Sequence, residues 1–222
     1  DQYFKTKLIL MNIPQDNQKR HEIKFIINKK EKINFINKNH LNKIFPDRIV
    51  ESIYFDTKDL QFFSLSEEGV TPRFKIRLRG YNNEKPSNLE IKKTKNYHRE
   101  KIILKNFQFN SFDLHKTLKS MGINNIVDQK IRVKYLRSYY ELKDLGRITM
   151  DENIEFFNPS KEFRNPKKIN KIILEVKIQR KEIDKNHVEK IINLKESRFS
   201  KYCVGINCLR NSNWFDLIID FI

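Results

Sequence analysis

The stretch that decides how this chain is read is Arg73-Phe-Lys-Ile-Arg-Leu-Arg79. Successive side chains of a strand point to opposite faces, so Arg73, Lys75, Arg77 and Arg79 form one wholly cationic row and Phe74, Ile76 and Leu78 form the other. Working outward, the same alternation recurs with acids added sparingly. Glu90 and Lys92 oppose Leu89 and Ile91, and Glu175 and Lys177 oppose Leu174, Val176 and Ile178. Arg20, Glu22 and Lys24 oppose Ile23; Arg147, Thr149 and Asp151 oppose Ile148 and Met150; Tyr135 and Arg137 share a face. An ordinary amphipathic sheet with a charged face in water accounts for the alternation alone. It does not account for four like charges in one row, which repel unless something neutralises them. A barrel with a polar, basic lumen and helices packed outside accounts for both, and such a lumen holds a multiply charged anion.

Between these strands lie conventional punctuation marks. Strands are expected near 19–27, 48–56, 72–81, 87–95, 99–107, 130–142, 147–156 and 169–181, mostly in hairpin order. Asn28 with Glu31 three positions on has capping-box spacing, and Ile33, Ile36, Leu41 and Ile44 then make a helical stripe that Pro46 ends. A second helix is expected over 112–121, with Ser111 as cap and Gly122 as stop, and a third over 186–195. The fold class is therefore α+β: an antiparallel eight-stranded β-tunnel closed as a barrel. Residues 1–19 read as an N-terminal leader and 20–222 as a single domain, with 214–222 as a short docked segment.

Composition narrows the partners. The 222 residues carry 45 basic against 28 acidic side chains, a formal charge of +17. Ile, Lys and Asn make up 86 of them, with no Ala, the bias of an AT-rich coding sequence, so part of the lysine excess is discounted. No apolar run approaches the roughly 20 residues of a membrane-spanning helix. No secretory h-region is visible, and Cys203 and Cys208 make neither a disulfide framework nor a zinc motif, so a cytoplasmic protein is expected. The five histidines show no ligand spacing and read as structural or exposed. The aromatics alternate away from the cations, which argues against single-stranded nucleic acid as the ligand.

Taken in order, RHEIK (20–24), SIYFDT (52–57), RFKIRLRGY (73–81), LEIKK (89–93), KYLRSYYE (134–141), RITMD (147–151), LEVK (174–177) and FSKY (199–202) make the chain resemble the VTC domain. That domain is the catalytic module of polyphosphate polymerases, within the CYTH-like triphosphate tunnel metalloenzymes. The resemblance spans about residues 20–210 and implies a tunnel binding ATP and polyphosphate, with Mn²⁺ or Mg²⁺ as cofactor. By match of motif it implies catalytic roles for Arg77, Arg79, Arg137 and Lys201. Substrate binding falls to Lys24, Lys92, Lys101, Tyr135, Arg147 and Ser200, joined by Lys177, which shares the face of Glu175. Glu175 is the implied metal ligand and Glu22 a second acidic contact; Asp56 reads as strand and turn. Hydrolases and cyclases of the superfamily usually open with Glu-x-Glu-x-Lys, whereas this chain has Arg20-x-Glu22-x-Lys24. Fewer acids leave less means to position and deprotonate a water, which favours phosphoryl transfer. The alternatives on the same fold are a metal-dependent tripolyphosphatase or nucleoside triphosphatase and a non-catalytic polyanion-binding module.

Overall fold

In the computed structural model, residues 21–96, 98–143, 145–159, 165–178 and 185–210 are described; the expected leader, Arg20 and the 214–222 segment lie outside them. Nine strands make one curled antiparallel sheet: β1 (His21–Ile27), β2 (Asn42–Asp56), β3 (Arg73–Tyr81), β4 (Asn88–Lys95), β5 (His98–Leu104), β6 (Asp128–Leu142), β7 (Gly146–Phe157), β8 (Lys167–Ile169) and β9 (Ile172–Ile178). Eight run in the order β1-β9-β7-β6-β2-β3-β4-β5, and β8 flanks β7. Five helices accompany them among the described residues: α1 (Lys29–Lys38), α2 (Gln61–Glu68), α3 (Ser111–Ser120), α4 (Lys185–Ile192) and α5 (Lys201–Arg210).

The expected closed barrel is corrected to an open, curled sheet. Among the described residues no ladder joins β1 to β5, the two ends of the strand order. The edge of β1 is instead occupied by the segment 197–201, where the Ser197 N–H donates to the Lys24 carbonyl at 2.8 Å. The Lys24 ammonium donates to the Phe199 carbonyl at 2.8 Å, and Arg198 reaches across to the Ser66 carbonyl at 2.6 Å. These contacts lay a strap from β1 to α2.

Alternation sorts the sheet as the sequence implies. The apolar rows of β1, β7 and β9 pack on Phe35 of α1 and on Val188 and Ile192 of α4. Ile76, Leu78, Leu89 and Ile91 pack on Leu114 and Leu118 of α3. Not all helices lie outside, however. Helix α5 sits on the concave face, with Tyr202, Cys203 and Ile206 against Tyr54, Ile131, Val133 and Phe156. Its composition explains the placement: Tyr202, Cys203, Gly205, Ile206 and Cys208 are all buried, too many for a one-sided surface helix. A Cβ on Gly205 would stand 2.3 Å from Ile131 Cδ1 and 2.6 Å from Phe156 Cδ1, so only glycine lets the helix lie this close.

The first helix keeps its capping box, Asn28 and Glu31 exchanging side-chain and backbone hydrogen bonds. It stops at Lys38, and Leu41 and Ile44 belong to the turn and to β2. Pro46 falls where β2 bulges, inside the register shift between Phe45 and Arg48, a position that tolerates its missing N–H. Helix α3 is capped by Asn110, one residue before the expected Ser111, whose side chain accepts from Asp113 N–H.

Candidate functional site

The concave face, roofed at one end by α5, encloses a cavity of about 870 Å³ lined by twelve lysines and arginines and five glutamates. Of the sequence-derived positions, Arg77, Arg79, Arg137 and Lys201 line it, as do Lys24, Lys92, Lys101, Tyr135, Lys177 and Ser200. Both expected acids, Glu175 and Glu22, also line it. Arg147 does not: it stands beyond Thr149 at the end away from α5, opposite Lys177 on β9 and Glu141 on β6. The cationic row of β3 enters whole, Arg73 and Lys75 included.

The central cations are held by acids. Arg77 Nε and Nη2 both donate to one Glu90 oxygen, Nε at 2.9 Å, while Nη1 donates to the Tyr54 hydroxyl at 3.0 Å. The same Glu90 oxygen lies 3.4 Å from Lys101 and 3.7 Å from Arg79. Burial alone would raise the Glu90 carboxyl, but Arg77, Arg79 and Lys101 overcome it and bring it down to about 2. Arg79 is itself buried, with Nε on Ser52 Oγ at 3.1 Å and Nη2 on the Tyr135 hydroxyl at 3.3 Å. Asp151, fully enclosed, takes Arg137 in a fork at 2.6 and 2.7 Å and Lys201 on the second oxygen. Its burial is likewise outweighed by Lys201 and Arg137, which keep it below its ordinary value. Such pairs fix the guanidinium planes in advance, at the cost of desolvating each ion.

Glu175 is the most cation-surrounded acid. Burial would raise it, yet Lys177, Lys24, Arg137 and Lys201 hold it far below the usual carboxylate range. Lys177 lies 3.2 Å from Glu175 and 3.8 Å from Glu22, so the two acids share one ammonium across neighbouring strands. Glu22 also meets Lys92 of β4 at 3.6 Å, a side-chain bridge from the first strand of the order to the one before the last.

At the α5 end the pattern changes. Arg73, Arg99 and Arg198 line the cavity with no carboxylate partner among the described residues. Burial and then the repulsion of Arg198 and Arg99 lower Arg73. Lys75 also lacks an acid; its ammonium donates to Ser200 Oγ at 3.0 Å, and burial pushes it down to about 8.

Sequence alternation put Glu90 and Asp151 on the polar face but not in the site, because their roles depend on which cations the curl brings opposite them. Asp56 is structural. Its buried carboxylate accepts from Phe62 N–H at 2.9 Å, from Phe63 N–H at 2.8 Å and from the Tyr202 hydroxyl, tying the start of α2 to α5. His115 accepts from Val127 N–H at 2.9 Å, and both cysteines are buried.

Solved structures with a similar fold superpose on this one. A conserved hypothetical protein of Pyrococcus furiosus matches with a TM-score of 0.51 at 16% identity, over 83% of this chain and 99% of that one. A candidate adenylate cyclase of Bacillus halodurans gives 0.51 at 14%, covering 82% and 93%. A Hippeastrum protein described as a candidate adenylyl cyclase with a dominant triphosphatase activity gives 0.51 at 14%, covering 84% and 94%. The model of the VTC domain matches residues 13–210, and the chain belongs to that family. No curated protein matches the sequence.

Membership implies a divalent metal. Among the described residues no three His, Cys, Asp or Glu side chains form a ready cage. The Glu175/Glu22 pair nonetheless fits a hard cation that takes one or two carboxylates and draws its remaining oxygens from phosphate and water.

Proposed function

We propose that this chain, as one domain over 20–222, is a metal-dependent polyphosphate polymerase that moves the γ-phosphoryl of ATP onto the end of a polyphosphate chain. The observation that carries the proposal is the convergence of seven strands and two helices on one cavity in which, among the described residues, cations outnumber acids twelve to five. Arg77, Arg79 and Arg137, held flat by their acids and by tyrosine hydroxyls, would grip the triphosphate oxygens, with Lys201, Lys24, Lys92, Lys101, Tyr135, Lys177 and Ser200 completing the cradle. The attacking terminal phosphate is already ionised, so the work of the site is alignment and charge neutralisation rather than proton removal. Glu175 and Glu22 would hold Mg²⁺ or Mn²⁺, whose charge would help to neutralise phosphate oxygens. Arg73, Arg99 and Arg198 extend the cationic path beyond the room a triphosphate needs.

The five glutamates of the lining favour one alternative, a tripolyphosphatase or nucleoside triphosphatase using an acid to activate water, as the Hippeastrum neighbour's described activity illustrates. Incubation with ATP and Mn²⁺, read by gel for long polyphosphate, separates the two: orthophosphate as the sole product overturns the polymerase reading. Glu175→Gln should lower metal-dependent turnover by about 100-fold or more, since metal assistance contributes several kcal/mol, while polyphosphate binding persists. A wild-type chain that binds polyphosphate without turnover with either metal is instead a polyanion-binding module. No membrane helix occurs among the described residues, and nucleic acid is not expected as ligand.

A further inference from the structure

Beyond the cavity, at the end away from α5, three adjacent strands turn aromatic on the concave side. Tyr139 is two residues past Arg137 on β6, and Tyr81 is two past Arg79 on β3; both follow their arginine onto the same face. Between them, at the bulge of β2, Phe45 meets the Tyr139 ring edge-on with centroids 5.8 Å apart, and the Arg48 guanidinium stands 5.8 Å over the same ring. Phe45 is 47% exposed although it belongs to a strand, Arg48 is exposed and Tyr139 half-buried. Tyr81 packs partly against the core beneath, while Phe45 and Arg48 stand open beside the cationic cavity. Burial raises the Tyr139 hydroxyl even though Arg137 and Arg48 oppose the shift, so at neutral pH the ring is an uncharged phenol.

We infer that Phe45, Arg48, Tyr139 and Tyr81 form the subsite for the planar base of a nucleoside triphosphate, setting the nucleotide's direction in the cavity. The inference rests on the triphosphate reading above and adds to it which end receives the nucleoside. Two residues of strand separate Arg137 from Tyr139, about 7 Å, so a base stacked at the rings leaves its phosphates pointing inward toward Arg79 and Arg137. The opposite end, whose arginines form no ion pair among the described residues, then faces the polymer. Rings and a guanidinium offer flat faces rather than edge-reading donors, so the subsite selects by stacking area and accepts purines ahead of pyrimidines without distinguishing adenine from guanine.

The test is calorimetric titration of the full chain, with Mg²⁺ present, using the β,γ-imido analogue of ATP, ribose 5-triphosphate and tripolyphosphate. The ATP analogue is expected to bind about 5- to 20-fold more tightly than ribose 5-triphosphate, the low part of the range for one stacked base. Phe45→Ala and Tyr139→Ala should each remove most of that margin and leave ribose 5-triphosphate and tripolyphosphate unchanged, while Tyr139→Phe retains it. Equal affinities of the two nucleotide-like ligands for the wild-type chain, with tripolyphosphate still bound, overturn the base subsite alone. So does a variant that weakens all three ligands in parallel, because its role is then structural. Failure of all three to bind overturns the triphosphate reading and the subsite with it. An Arg48→Gln chain, altered only at an exposed side chain, gives an independent reading: part of the ATP margin should go, and no change counts against stacking by the guanidinium.

Discussion

The two halves of the cavity are cationic in different ways. In the middle, every arginine leans on an acid: Arg77 and Arg79 on Glu90, Arg137 on Asp151, with Lys101 and Lys201 sharing the same carboxylates. At the α5 end, Arg73, Arg99 and Arg198 face one another and form no ion pair among the described residues, although Glu67 and Glu196 line the same cavity. Pairing makes a cation rigid and keeps the empty fold stable; leaving cations unpaired stores repulsion that only an anion relieves. The middle is built for geometry and the α5 end for attraction. Their division suits a site that must orient one phosphate accurately and merely retain the others.

The largest expected effect tests the middle. Asp151→Asn leaves the buried Arg137 and Lys201 side by side without their shared acid, and should cost about 3–5 kcal/mol in urea unfolding, the usual range for breaking a buried pair. Tripolyphosphate should restore part of that loss. A cost below about 1 kcal/mol would mean that the acids do not hold the middle together.

The α5 end should respond with the opposite sign. Arg99→Gln is expected to change the stability of the ligand-free chain by no more than about 0.5 kcal/mol, toward greater stability, as for other exposed charges. Polyphosphate affinity should fall, and the slope of log K against log salt should become shallower by about one, the signature of one lost phosphate contact. A destabilised chain with an unchanged slope would place Arg99 in a structural role.

The smallest effect is a proton. Lys75 sits at about 8 in the folded chain against an ordinary value of 10.5. With its folded pKa depressed, the folded chain binds fewer protons than the unfolded chain between those values, so the burial penalty present below about pH 8 fades as pH rises toward 10.5. A polyanion arriving beside Lys75 favours its charged form, so binding near pH 8 should take up protons and affinity should decline at higher pH. Titrations in two buffers of unlike ionisation heat will show this uptake, and Lys75→Met should abolish it. Identical apparent heats in both buffers for the wild-type chain would remove Lys75 from the anion's surroundings.

How much of this was legible in sequence depends on whether a signal was local. The row Arg73–Arg79 needed only alternation, and the capping box at Asn28 only three-residue spacing; both survive. Helix α2 announced nothing, since its N-cap Leu60 has a left-handed backbone and no side-chain cap, and its first amides are taken by Asp56, several residues back across a turn. Helix α5 gave no amphipathic stripe because it is covered on most sides. Leu41 and Ile44 kept helical spacing by chance, and the bulge at Pro46 let β2 begin earlier than the proline suggested. In the site, cations were legible from alternation and motif, while Glu90 and Asp151 became visible only once the curl set them against Arg77 and Arg137. Arg147 shared its strand's polar face but stands too far along it to reach the cavity.

The missing ladder between β1 and β5 has a mechanical consequence. A ring of hydrogen-bonded strands would oblige a polymer to enter by its tip and leave by its tip. Here β1 is joined to β4 by the Lys92–Glu22 contact and to α2 by the strap at 197–201, with Lys24 and Arg198 as its fastenings. Side-chain clasps and a few strap bonds open locally at far lower cost than a sheet ladder. The enclosure is therefore a split sleeve, able to part along one line and admit or release a long chain from the side.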